Sequence, residues 1–110
     1  MKLLHFIETS VFQRKIETLL SHDEYLNFQE HLRQNPESGA TISATGGCRK
    51  VRWAIQGKGK SGGIRVIYYY LNQEGEIYLL LVYPKNEMEN LSDEQKAQLR
   101  KVISMIEGEL

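Results

Sequence analysis

Cysteine occurs once in the 110 residues, as Cys48. A lone thiol excludes an internal disulfide and a CxxC-type metal site, and it fits a reducing cytoplasm. No apolar run approaches the roughly 20 residues that a membrane span needs. The opening Met1-Lys2-Leu3-Leu4-His5-Phe6-Ile7-Glu8 has one basic residue and a short apolar run that stops at a carboxylate. With no small-residue cleavage site behind it, this stretch reads as a strand and not as a signal peptide. Acidic residues are missing altogether between residues 38 and 73, which carry six Lys/Arg.

That last absence governs the charge pattern. Residues 1–37 carry four basic and six acidic residues, and residues 74–110 carry four basic and eight acidic ones. The segment charges of −2, +6 and −4 cancel to the net zero of the whole chain. A basic centre framed by acidic flanks makes a local positive field that net charge conceals. Two readings are open: a surface for a polyanion, or a solvated face whose countercharges fold over from the flanks.

Hydrophobic residues make up 41% and charged residues 25%, the balance of a globular chain rather than a disordered one. The length suits one compact domain over residues 1–110 and is too short for two. Leu3 to Ile7 is a strand candidate. Thr9 or Ser10 can cap a helix carrying Phe12, Ile16, Leu19 and Leu20 on one face. Ser21 with Glu24 forms a capping box for a second helix, with a stripe of Tyr25, Phe28 and Leu32, stopped by Asn35-Pro36. Residues 37–47 are rich in Ser, Thr, Gly and Ala and read as a loop. Three β-type segments follow, at 49–55, 64–71 and 77–83, the last two joined as a hairpin through Asn72-Gln73-Glu74-Gly75. Ser92 with Gln95 opens a last helix with Leu99, Val102, Ile103 and Ile106 on its apolar side. The order β-α-α-β-β-β-α predicts a small α+β domain, a mostly antiparallel sheet with helices against one face.

In Cys48-Arg49-Lys50-Val51-Arg52-Trp53-Ala54-Ile55, strand alternation sends Val51, Trp53 and Ile55 one way and Lys50 and Arg52 the other. Two adjacent cations on one open face repel each other unless a polyanion is expected there; the alternative is the polar outer face of an edge strand. The next loop, Gln56-Gly57-Lys58-Gly59-Lys60-Ser61-Gly62-Gly63, combines four glycines with Lys58 and Lys60, so backbone N–H groups and charge can approach a phosphate. It is not a P-loop: Ala54 stands where that motif needs glycine, and a β-type run follows instead of a helix. Arg65 lies in an otherwise apolar strand, where an unpaired buried charge is costly. It therefore meets a carboxylate or joins Lys50 and Arg52 on the open face. Tyr83, Lys85 and Asn86 sit just beyond the last strand, with Tyr83 a ring on which a base could stack. His5, His22 and His31 fall elsewhere and read as structural or solvated. No metal-ligand spacing and no Ser-His or Cys-His pair occurs, so chemistry is expected to run on Lys, Arg and Tyr without metal or cofactor.

Together, Lys50-Val51-Arg52, Gly57-Lys58-Gly59-Lys60, Arg65-Val66-Ile67-Tyr68-Tyr69-Tyr70 and Tyr83-Pro84-Lys85-Asn86-Glu87 resemble the motifs of RelE-superfamily toxins, particularly the HigB branch. The similarity extends over nearly the whole chain, in motif order, spacing and element order. It implies the toxin of a type II toxin–antitoxin pair, an endoribonuclease that cuts mRNA in the ribosomal A site. The implied partners are the ribosome with its mRNA and a HigA-type helix-turn-helix antitoxin, through which alone the toxin reaches operator DNA. No membrane partner is implied. By the resemblance, Lys50, Arg52, Arg65, Tyr83 and Lys85 are the catalytic positions, and Arg49, Lys58, Lys60 and Asn86 bind RNA. The ribose 2′-OH would attack the adjacent phosphate while Arg65 and Arg52 stabilise the phosphoryl oxygens. Asn86 departs from an arginine of RelE itself, and the last helix has no tyrosine to match RelE's. The general base thus stays open between Lys50 and Tyr83, and leaving-group assistance between Lys85 and Tyr83. Competing readings are a module that binds nucleic acid without cutting it and a protein-interaction domain that docks an acidic partner.

Overall fold

The computed structural model describes residues 3–55 and 63–108. Along the chain run β1 (His5–Glu8), α1 (Ser10–Leu19), α2 (His22–Gln34), β2 (Ala40–Thr41), β3 (Arg49–Trp53), β4 (Ile64–Leu71), β5 (Glu76–Pro84) and α3 (Asp93–Ile106). The architecture is α+β in the expected order, with one addition. Within the segment expected to be a loop, Ala40 and Thr41 pair antiparallel with Lys50 and Arg49. A strand of two residues has no periodicity for a sequence to display.

Each helix opens on a side-chain oxygen. Thr9 Oγ1 accepts the Phe12 N–H at 3.0 Å. Ser21 with Glu24 and Ser92 with Gln95 form reciprocal capping boxes, each satisfying two N–H groups that would otherwise lack an intrahelical partner. The β4–β5 hairpin turns on Gly75, whose φ of +67° lies in the left-handed region, where a Cβ would be strained.

The sheet has the order β1-β5-β4-β3-β2. Only the β1–β5 pairing is parallel; the others are antiparallel. The expectation of helices against one face is corrected, because apolar packing covers both. Phe12, Ile16, Phe28 and Leu32 of α1 and α2 pack with Val51, Val66, Tyr68 and Leu79. Leu99 and Ile103 of α3 pack with Ile67, Tyr69 and Leu80 on the other side. The reason is visible in β4, where Ile64, Val66, Ile67, Tyr68 and Tyr69 are all buried. Alternating side chains of such a run are apolar on both faces, so both faces need cover.

One irregularity sets which side chains face which layer. Ile67 pairs with Leu81 but Tyr68 pairs with Leu79, leaving Leu80 as an extra residue in β5. This bulge reverses the alternation. Before it, Ile77 and Leu79 face α1 and α2; after it, Val82 does, and Tyr83 turns to the α3 side. Thr9 holds the bulge from the neighbouring chain segment. Its N–H donates to the Leu79 carbonyl at 3.1 Å, and its hydroxyl donates to the Leu80 carbonyl at 2.9 Å.

A second clasp fixes the segment between α2 and β3. The fully buried Tyr68 hydroxyl accepts the Gly39 N–H at 2.9 Å and donates to the Pro36 carbonyl at 2.9 Å. A Cβ on Gly39 would lie 2.9 Å from both the Lys50 carbonyl oxygen and the Tyr68 ring, so glycine is required by the closeness of the approach. Removing the hydroxyl strands a buried donor and a buried acceptor. Tyr68→Phe should therefore destabilise the fold by about 1–3 kcal/mol, read as a lower midpoint in chemical denaturation with an unchanged slope.

Candidate functional site

Lys50 and Arg52 lie on the strand face opposite Val51, which enters the α1/α2 core. They therefore share the α3 side of the sheet with Arg65 and Tyr83, and the register aligns three of these residues. Arg52 pairs with Arg65 across β3 and β4, and Arg65 pairs with Tyr83 across β4 and β5. Two guanidinium groups on directly paired residues repel each other. Among the described residues no carboxylate lies within ion-pair distance of Lys50, Arg52, Arg65 or Lys85. The Arg65 Nη1 is held by the Ile64 carbonyl at 3.2 Å.

These cations line a cleft of about 510 Å³. The sheet contributes Lys50, Arg52 and Arg65 as its floor, and the segment Lys85 to Asn90 between β5 and α3 forms a wall. The Lys85 N–H donates to the Gly63 carbonyl at 2.9 Å, which ties the start of that wall to the head of β4. Farther along, Glu87 is drawn to Lys15 of α1 at 3.0 Å. The strand end and the helix surface thus stretch the segment across the mouth of the sheet. A concave site with several unpaired cations suits a phosphate-bearing ligand, whose charge offsets the repulsion between Arg52 and Arg65.

The expected site residues separate. Lys50, Arg52, Arg65, Lys85 and Asn86 are brought together in the cleft. Arg49 is not among them. Its guanidinium donates to the carbonyls of Glu37 at 3.1 Å and Gly39 at 2.8 Å, and it lies 3.8 Å from the Glu37 carboxylate. Odd-numbered in a strand whose even residues form the floor, it braces the segment that Tyr68 also clasps. Lys58 and Lys60 lie outside the described residues.

Tyr83 takes its place in the row, yet it is only 2% exposed. The expectation of a ring on which a base stacks is corrected: the bulge at Leu80 turns this side chain into the α3 core. Its hydroxyl is buried without a hydrogen-bond partner among the described residues. Burial pushes its pKa above the ordinary phenol range, with the Arg65 charge pulling partly the other way.

Glu87, Met88, Glu89 and Asn90 line the cleft and are absent from the residues expected in it. The available signal was their position directly after a strand end that carries Lys85 and Asn86. Charge counting placed them in an acidic flank, and that flank does fold over the basic centre. Cys48 does not line the cleft; it is fully buried, and burial pushes its thiol up to about 11. Because the Tyr83 hydroxyl has no hydrogen-bond partner among the described residues, Tyr83→Phe should leave stability unchanged or raise it by up to about 1 kcal/mol. Thermal and chemical denaturation would distinguish this from the loss expected at Tyr68.

A comparison with known families gives a match over most of the chain. Residues 8–108 match the family described as the RelE toxin of the RelE/RelB toxin–antitoxin system. The match spans all the secondary-structure elements from α1 to α3 and every cation of the cleft. This chain belongs to the RelE toxin family, and its role is that of the toxin in a toxin–antitoxin pair.

Proposed function

We propose that the protein is a ribosome-dependent endoribonuclease that cleaves mRNA in the A site and thereby arrests translation. The observation that carries this reading is the set of cations in one cleft, Lys50, Arg52, Arg65 and Lys85, none with a carboxylate partner among the described residues. Fixed cations of this kind can stabilise charge that develops on phosphoryl oxygens, and preorganised electrostatics is commonly the largest single contribution to such a step.

In this reaction the ribose 2′-oxygen attacks the adjacent phosphorus, and the bond from phosphorus to the 5′-oxygen breaks. The products are a 2′,3′-cyclic phosphate and a 5′-hydroxyl end. Arg65 and Arg52 hold the non-bridging oxygens, and Lys50 extends the positive floor along β3. Lys85 supplies a proton to the departing 5′-oxygen. Asn86 contacts the RNA at the cleft wall, and Lys58 and Lys60, outside the described residues, contact its backbone. Tyr83 acts from beneath, as the buried neighbour of Arg65, and does not touch RNA. The groups assigned to the reaction are the chain's own Lys and Arg side chains.

The toxin role implies an antitoxin partner. A HigA-like helix-turn-helix protein is the form we infer, from the resemblance of the cleft motifs to the HigB branch. That antitoxin would carry the toxin to operator DNA, and the pair would act in the cytoplasm. Among the described residues no helix is long and apolar enough to cross a membrane.

Arg65→Ala tests the reading directly. The variant should keep its thermal midpoint, lose growth arrest on induction, and cleave ribosome-bound mRNA about 10²–10³-fold more slowly. Mapping of mRNA ends after induction should show the wild-type cuts disappear. Full toxicity from a folded Arg65→Ala protein would sink the assignment. Intact RNA held with strongly salt-dependent affinity by the wild-type chain would instead identify a binding module.

A further inference from the structure

A base must take the 2′-OH proton in the reaction just described, and the cleft narrows the choice. A general base has to lie within reach of the reacting atoms, be open to the substrate and be unprotonated at working pH. Tyr83 fails on access, since its hydroxyl is buried beneath the floor. Histidine is absent from the lining. His22 lines a different cleft beside α1 and α2, and the His31 ring packs 5.3 Å from that of Trp53 on the other side of the sheet. The segment 56–62 contains no acidic residue and no histidine, so it offers no candidate from beyond the described residues. Lysine can serve as a base only after losing a proton, whereas a solvated carboxylate ordinarily carries its charge at neutral pH.

Two carboxylates line the cleft, Glu87 and Glu89. Glu87 is committed to Lys15 of α1, with a hydrogen-bonded ion pair of 3.0 Å. Glu89 is exposed and has no ion-pair or hydrogen-bond partner among the described residues. It lines the same cleft as Lys50, Arg52 and Arg65, with Lys85 and Glu87 on its own segment. A nucleotide whose phosphate is held by these cations shares the cleft with the Glu89 carboxylate.

We propose that the Glu89 carboxylate, in place of Lys50, is the general base that accepts the 2′-OH proton. The step balances with the substrate and the chain's own side chains. The 2′-oxygen bonds to phosphorus as its proton passes to Glu89. The phosphorus–5′-oxygen bond breaks, and the leaving oxygen takes a proton from the Lys85 ammonium. The inference rests on the RNA-cleavage reading above.

The test is single-turnover cleavage of mRNA on programmed ribosomes, with product ends analysed and mRNA binding measured in parallel. Glu89→Gln should slow cleavage about 10²–10⁴-fold while mRNA affinity stays within a few-fold of wild type. The wild-type rate should fall toward acid pH as the base is protonated, and that fall should be absent from this variant. Added formate should restore part of the rate to Glu89→Gly. Glu17→Gln, on the exposed side of α1, should cleave as wild type and controls for loss of a negative charge. Wild-type rates from Glu89→Gln would overturn the inference while leaving the ribonuclease reading intact. So would a variant that loses binding and cleavage together without formate rescue. A wild-type chain yielding no 2′,3′-cyclic phosphate would overturn both.

Discussion

The bond between the Thr9 hydroxyl and the Leu80 carbonyl joins three things that must agree. Thr9 caps α1, ends the β1 segment and holds the extra residue of β5, all through one side chain and its backbone. Because a bulge reverses the alternation of a strand, everything after Leu80 faces the layer opposite to the one a regular strand would give it. Val82 closes the α1/α2 core, and Tyr83 goes under α3 beside Arg65. The segment from Lys85 to Asn90 leaves the sheet from that altered strand end and becomes the wall of the cleft. Cap, core and site thus share one anchor.

The positively charged surface is divided between support and function, and the division follows strand parity. Arg49, on the α1/α2 side of β3, spends its donors on the Glu37 and Gly39 carbonyls. Lys50 and Arg52, on the other side, have no ion partner among the described residues and line the cleft with Arg65. Like charges placed opposite each other in a sheet oppose folding. The arrangement is therefore tolerable where buried packing on both faces holds the strands regardless. It also keeps the cations preorganised, so that little rearrangement is needed when an anion arrives.

The acidic flank completes the site instead of merely balancing it. Glu87 reaches α1 and braces the wall, while Glu89 lines the cleft with no ion partner among the described residues. A cleft with cations on one side and a carboxylate on the other can bind a phosphate and also receive a proton from the sugar attached to it. A uniformly basic groove could do only the first.

The sequence by itself determined what depends on neighbours a few residues apart. Capping boxes at Ser21–Glu24 and Ser92–Gln95, the Gly75 hairpin, the order of elements and the common side of Lys50 and Arg52 all follow from local hydrogen bonding and short periodicities. The kinship was legible too, in the order of its motifs. What the tertiary structure decided are the consequences of long-range pairing. The parallel placement of β1 beside β5, the two-sided cover of β4, the short β2 strand and the bulge at Leu80 arise from contacts between residues far apart in the chain. So do the burial of Tyr83, the structural use of Arg49 and the folding of Glu87 and Glu89 over the basic centre. Periodicity records which side chains share a face of a regular strand. It cannot record an extra residue that is stabilised by a threonine 71 positions away.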